Sequence, residues 1–154
     1  MNKVAKPEYP KLTKEIVEGF ATSCLTKYYD DASQFADFHR EWWDLCCSDD
    51  KFVAICAPRG HSKSTTITIT YTLASVLFRQ RKYVLIVADT ESQASLFLGQ
   101  IKQILYDSSE IHSLFGLQMG LVGGRRSAHL KRRLIITMDR STILVCLIRA
   151  CSTN

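Results

Sequence analysis

A short polar segment between two apolar stretches carries the side chains best suited to chemistry. It reads Ala-Pro-Arg-Gly-His-Ser-Lys-Ser-Thr, residues 57–65, and directly follows the apolar run at residues 52–56. Where a buried strand turns into a helix, backbone amides and the positive end of the helix attract an anion. A lysine there can reach the β- and γ-phosphates of a nucleotide, and the next hydroxyl can bind Mg²⁺. The segment therefore predicts a phosphate-binding loop, with Lys63 and Ser64 as its principal chemical groups.

This loop departs from the usual G-x-x-x-x-G-K-[ST] pattern. It keeps only the final pair, because Ala57 and Ser62 stand where the two glycines are expected. A chance Ser-Lys-Ser-Thr at a polar helix start is the alternative. The context favours the loop, since an apolar run precedes it, an amphipathic stretch follows it, and a second apolar run occupies residues 83–88.

The elements that must position the loop can be predicted from periodicity. Residues 66–70 alternate like a strand, yet the spacing of Ile69, Leu73, Val76 and Leu77 is helical, so we predict a helix over residues 62–79. Helices are also predicted at residues 13–29 with Thr13 as cap, from Phe35 to Cys46 with Ser33 as cap, and at residues 91–106 with Thr90 and Gln93 at capping-box spacing. Strands are predicted at residues 52–56 and 83–88, with two further short strands in the apolar runs 134–138 and 143–148. The fold class that follows is α/β, a parallel sheet flanked by helices as in P-loop NTPases, but incomplete.

Composition limits the classes of protein that need to be considered. The chain has 154 residues, of which 46% are hydrophobic, enough for one domain with a buried core. No run approaches the roughly 18 apolar residues of a membrane span, and the first residues lack an apolar signal core, so we expect a cytoplasmic protein. The six cysteines contain no C-x-x-C pair, which indicates reduced, buried thiols rather than a zinc site or disulfides.

Positive charge is concentrated near the end of the chain. Residues 1–116 carry 13 basic and 14 acidic side chains, whereas residues 117–154 carry seven basic side chains and one acidic residue, Asp139. A basic strip can contact the phosphates of nucleic acid. A solvated tail without a binding role is the alternative, and composition leaves both interpretations open.

Three blocks of sequence, in this order and at this spacing, resemble the N-terminal ATPase domain of bacteriophage terminase large subunits. They are Phe-His-Arg-Glu-Trp-Trp at residues 38–43, the loop at residues 57–65, and Leu-Ile-Val-Ala-Asp-Thr-Glu-Ser-Gln-Ala at residues 85–94. The resemblance covers about residues 33–116, and loops of this family commonly lack the usual glycines. It implies an ATP-driven motor that moves double-stranded DNA into a procapsid inside the bacterial host cell. The portal protein and the small terminase subunit would be further partners, and no membrane is involved.

The resemblance also gives roles to individual residues. Lys63 matches the phosphate-binding lysine of a Walker A loop, Ser64 the hydroxyl beside Mg²⁺, and Arg59 an arginine that neutralises charge on the γ-phosphate during transfer. Phe38, His39 and Trp42 match the region that contacts adenine. A solvent-facing loop cation is the alternative for Arg59, and core packing is the alternative for Phe38 and, with more weight, for Trp42. The implied ligands are ATP and Mg²⁺, bound by Phe38, His39, Pro58, Arg59, Gly60, His61, Ser62, Lys63, Ser64 and Thr65.

Three parts of such a motor find no match in this chain. Hydrolysis requires an acidic residue after a second apolar strand to hold Mg²⁺, and a carboxylate to orient the attacking water. The nearest candidate for the first is Asp139, and the adjacent Arg140 opposes metal binding there. The nuclease domain of the family does not fit into the remaining length. The sequence therefore predicts ATP binding and leaves hydrolysis by this chain alone open.

These observations divide the chain into three expected parts. Residues 1–32 form an N-terminal helical segment, residues 33–116 a partial ATPase domain, and residues 117–154 a basic tail. The change in composition near residue 117 leads to the hypothesis of a truncated or frameshifted gene product. A helicase-like P-loop ATPase and a non-catalytic DNA-binding fragment are the alternative functions. The oligomeric state stays open, a homo-oligomer being one option for a full-length chain.

Overall fold

The computed structural model describes residues 9–29 and 35–117 with their side chains, and residues 133–138 and 141–149 as backbone. Helices make up 62% of the first two ranges. The elements, in chain order, are α1 (Lys14–Cys24), a 3₁₀ turn (Thr26–Tyr28), α2 (Asp37–Cys47), a π-helix (Ser64–Tyr71), α3 (Thr72–Leu77), β1 (Tyr83–Ala88), α4 (Glu91–Asp107), α5 (Ser109–Phe115), β2 (Arg133–Met138) and β3 (Ser141–Arg149).

Two helices begin where their capping residues predict. The Thr13 hydroxyl accepts a hydrogen bond from the Ile16 amide at 3.4 Å, and the Thr90 hydroxyl accepts one from the Gln93 amide at 3.2 Å. Each bond satisfies an amide that has no partner inside its helix. Ser33, the predicted cap of α2, lies outside the described residues; α2 begins after Ala36, which makes no side-chain capping bond.

The helix after the loop forms despite its strand-like alternation. Residues 64–71 wind as a π-helix, and α3 continues the same helix, so the prediction over residues 62–79 is confirmed. Thr66, Ile69 and Thr70 are buried, which shows that packing decides the local structure here against β propensity. A π-helix bonds each amide one residue further back than an α-helix, and such turns are frequent at functional sites.

The predicted fold class is wrong. The strand expected at residues 52–56 is absent: this segment belongs to no sheet, and the Phe52 side chain is 93% exposed. β1 is the one strand among the residues described with side chains, at the predicted position. The strands that pair with it come from the end of the chain, in the order β1-β3-β2, with β1 parallel and β2 antiparallel to β3. A parallel P-loop sheet therefore does not form, because the run before the loop finds no partner strand among the described residues.

The helices enclose one hydrophobic core. Its largest fully buried side chain is Trp43, whose indole nitrogen donates to the Thr66 carbonyl at 3.1 Å and so joins α2 to the π-helix. Phe20 and Phe115 pack edge to face at 6.1 Å, which brings α1 against α5. The core thus includes α1 together with the helices of residues 35–117. The expected boundary at residue 32, between an N-terminal helical segment and a partial ATPase domain, stays a prediction.

Among the helices of the described residues, none combines the length and the apolar character that a bilayer crossing requires. The cysteines described with their side chains are free thiols, namely Cys24, Cys46, Cys47 and Cys56. Cys24 is buried as predicted, whereas Cys56 is exposed, because the segment that carries it does not enter a sheet. Burial raises the pKa of the Cys47 thiol to about 11, with the Cys46 thiol and the Asp44 carboxylate acting in the same direction.

Candidate functional site

The nine residues of the polar loop enclose a cavity of their own. Residues 57–65 line a space of about 450 Å³ that is open to solvent. Gly60 has φ of 88° and Ser62 has φ of 51°, so the backbone turns twice through the left-handed region within three residues. Lys63 returns to helical angles, φ −52° and ψ −46°. The loop therefore forms a compact turn that leads directly into the π-helix.

Ser62 adopts a conformation that the usual sequence pattern reserves for glycine. Non-glycine residues rarely take positive φ, and they do so mainly where the surrounding structure imposes it. The Ser62 carbonyl accepts a hydrogen bond from the Thr66 amide at 2.9 Å, which fixes it to the first turn of the following helix. A left-handed residue followed by a right-handed one turns successive amides towards one side, an arrangement that binds anions.

The side chains of this cavity give it positive charge. Arg59 and Lys63 are both exposed, and neither makes a side-chain hydrogen bond or ion pair with a residue that the structure describes. No carboxylate is among the residues that line the cavity. Two cations without a described side-chain partner therefore line an open space, and positive charge beside a turn of this kind favours an anion.

Ser64 fits the role of one magnesium ligand. It is exposed and lines the cavity beside Lys63, and Mg²⁺ prefers oxygen ligands, taken largely from phosphates and water. Within the ranges that carry side chains, no group of three or more His, Cys, Asp or Glu could hold a metal ion by itself. A magnesium ion would thus depend on the phosphate oxygens that arrive with it.

Two residues of α2, Phe38 and His39, lie against the loop. The His39 imidazole Nε2 lies 3.0 Å from the His61 carbonyl oxygen, and the Phe38 ring lies 5.3 Å from the His61 ring. Phe38 also contacts the Trp42 ring at 5.1 Å, and both Phe38 and His39 are half-buried. Both rings therefore contact the loop at His61 and help to hold it in place. The sequence did not reveal these contacts.

A second cavity lies beside the first, between the π-helix and α4. Its volume is about 180 Å³, and Thr65 lines both cavities. The Tyr28 hydroxyl is buried without a hydrogen-bond partner in the described residues, while the Tyr29 hydroxyl is hydrogen-bonded to the Thr70 hydroxyl. The remaining lining residues are Leu25, Ile69, Gln100, Gln103 and Ile104. Sequence reasoning missed this cavity, because exposed glutamines on an amphipathic helix look like an ordinary solvated face.

Other predicted residues lie outside this site or outside the described residues. Asp89 is exposed after β1, and Thr90 serves as the cap of α4. Asp139 is outside the described residues, as is most of the basic tail, and nothing of the structure bears on their roles.

Comparison of this chain with protein-family models, with curated proteins and with solved structures gave no match.

Proposed function

We propose that this chain binds Mg²⁺-ATP through the loop at residues 57–65. The main observation in support of the proposal is that these nine consecutive residues line one cavity and that the Arg59 and Lys63 side chains are exposed there. A triphosphate would accept hydrogen bonds from the amides around Ser62 and Lys63 and would be neutralised by the Lys63 ammonium group. Arg59 would add charge-assisted hydrogen bonds at the γ-phosphate end.

The biological role that agrees with these residues is the nucleotide-binding part of a phage DNA-packaging motor. The support is the resemblance of three sequence blocks to terminase large subunits, together with the contacts that join the first block, at Phe38 and His39, to the loop. Double-stranded DNA, the portal protein and the small terminase subunit are the partners that follow from this proposal. Hydrolysis by the chain alone is not part of it, because no acidic residue lines the cavity.

The proposal is tested by titrating the purified chain with Mg²⁺-ATP in a calorimeter. Lys63→Ala removes the ammonium group in the loop and is expected to weaken binding by about tenfold or more, the effect of one charge-assisted hydrogen bond. Lys82→Ala is the matched control, because Lys82 is also exposed but lies in the turn before β1. Equal affinity of wild type and Lys63→Ala, or no binding by the wild type, would contradict the proposal.

A further inference from the structure

The cavity between the π-helix and α4 has the position of a nucleobase site. Thr65 lines this cavity and also the phosphate cavity, so the two spaces are neighbours across one residue. If Lys63 and Ser64 hold the β- and γ-phosphates and Mg²⁺, the next residue along the helix faces the part of the nucleotide nearer the base. We propose that the adenine ring of ATP binds in this second cavity, an inference that rests on the proposed ATP binding.

The size and the walls of the cavity suit a planar ring. Its volume of about 180 Å³ exceeds the roughly 150 Å³ of an engineered cavity that takes up benzene. Leu25, Ile69 and Ile104 supply apolar walls, and two tyrosine rings complete them. Ligand sites are commonly apolar clefts with a few polar groups that fix orientation.

The polar groups of the cavity favour adenine. Gln100 and Gln103 lie three residues apart on α4 and share one face of the helix, with their side chains exposed at the cavity. A carboxamide offers one donor and one acceptor, which match the N7 acceptor and N6 donor of adenine. Guanine presents two acceptors, O6 and N7, which arginine or lysine bind best, and no charged side chain lines this cavity.

The Tyr28 hydroxyl gives a second reason to place a ligand here. It is buried and has no hydrogen-bond partner among the described residues. A buried hydroxyl without a partner is unfavourable. Because Tyr28 lines this cavity, a small rotation of its ring would bring the hydroxyl to a ring nitrogen or exocyclic amine bound there. Phe38 and His39, the residues expected at the base, are instead engaged with the loop and with each other.

Calorimetric titration with three ligands, Mg²⁺-ATP, Mg²⁺-GTP and Mg²⁺-tripolyphosphate, separates the base site from the phosphate site. The wild type is expected to bind ATP more tightly than GTP or tripolyphosphate. In the double variant Gln100→Met, Gln103→Met, ATP is expected to bind about tenfold more weakly, the value of a bidentate amide contact, with tripolyphosphate binding unchanged. Tyr28→Phe is expected to act in the same direction. Gln93→Met is the matched control, because Gln93 is exposed on the same helix but lines neither cavity.

The outcomes distinguish this inference from the function on which it rests. Absence of binding by both ATP and tripolyphosphate in the wild type would overturn the proposed function, and the base site with it. Suppose that tripolyphosphate binding is intact and that the glutamine double variant has the same ratio of ATP to tripolyphosphate affinity as the wild type. This result would overturn the base site alone. If the ratio of ATP to tripolyphosphate affinity falls in Phe38→Leu but not in the glutamine double variant, the adenine ring binds beside α2 and not in the second cavity. Thermal unfolding of each variant checks that the fold is retained.

Discussion

The His39 imidazole donates a hydrogen bond from Nε2 to the carbonyl oxygen of His61, at 3.0 Å. A carbonyl can only accept, so the proton must be on Nε2. The bond connects α2 to the middle of the loop, two residues before Lys63. His39 therefore acts as a positioning residue for the loop backbone, in addition to any contact it makes with a ligand.

Replacement of His39 is expected to loosen the loop. His39→Leu removes a hydrogen bond whose net value is about 1 kcal/mol, so we expect roughly fivefold faster tryptic cleavage after Arg59 and Lys63, and a matching loss of Mg²⁺-ATP affinity. His39→Gln retains a donor and is expected to restore both. Cleavage is followed by mass spectrometry of the ligand-free chain. Equal cleavage rates in the leucine variant and the wild type would show that the bond does not hold the loop.

Because Ser62 has a left-handed backbone conformation, replacement by glycine is expected to stabilise the folded chain. Ser62→Gly relieves the strain of φ at 51° and is expected to raise the free energy of unfolding by about 0.5–1 kcal/mol. Ser95→Gly is the control: it lies within α4, where glycine is expected to lower stability by roughly 0.5 kcal/mol. Urea unfolding measures both. A decrease in stability for Ser62→Gly would mean that the loop is not constrained as described.

The Trp43 indole joins α2 to the π-helix through the Thr66 carbonyl. Trp43→Phe keeps a buried aromatic ring but removes the donor, and we expect the free energy of unfolding to fall by about 1–2 kcal/mol. Leu45→Ala, on the same helix with its side chain 45% exposed, should change it by less than about 0.5 kcal/mol. Denaturant titration followed by circular dichroism provides the comparison, and equal effects of the two changes would contradict the assigned contact.

The cysteines are expected to react in an order set by exposure and pKa. Cys56 is exposed, whereas burial raises the pKa of Cys47 to about 11, so Cys47 is almost wholly protonated at pH 8 and a poor nucleophile. Iodoacetamide at pH 8 should label Cys56 before Cys47, and labelling of Cys47 should rise steeply as the pH approaches 11. Since the raised pKa means that the folded state holds this proton more tightly, its contribution to stability is complete below pH 9 and is lost towards pH 11. Peptide mapping gives the order, and early labelling of Cys47 would contradict its burial.

The sequence predicted those elements whose signals are local. The caps at Thr13 and Thr90 are side-chain bonds to amides three residues away, so spacing alone reveals them. The helix after the loop was also predictable, because its apolar spacing extends to Leu77 and outweighs the alternation of threonine and isoleucine.

The strand expected at residues 52–56 failed for a physical reason. An apolar run indicates that a segment gains from burial, but a strand forms only where another strand supplies hydrogen bonds, and periodicity carries no information on that partner. Similarly, core packing of Trp42 was foreseen and this side chain is buried, but the spacing did not reveal that the neighbouring Trp43 is the fully buried side chain of α2. The cavity of the loop is lined by consecutive residues, 57–65, and so depends on local sequence, whereas the second cavity depends on how α4 packs against the π-helix.

Binding of Mg²⁺-ATP at the loop is tested most directly by an amide chemical-shift titration of the isotope-labelled chain. We predict that the largest shift changes fall on the amides of residues 59–65 and that Lys63→Ala greatly reduces them. Changes confined to the basic residues after 117, with the loop amides unmoved, would contradict binding at the loop.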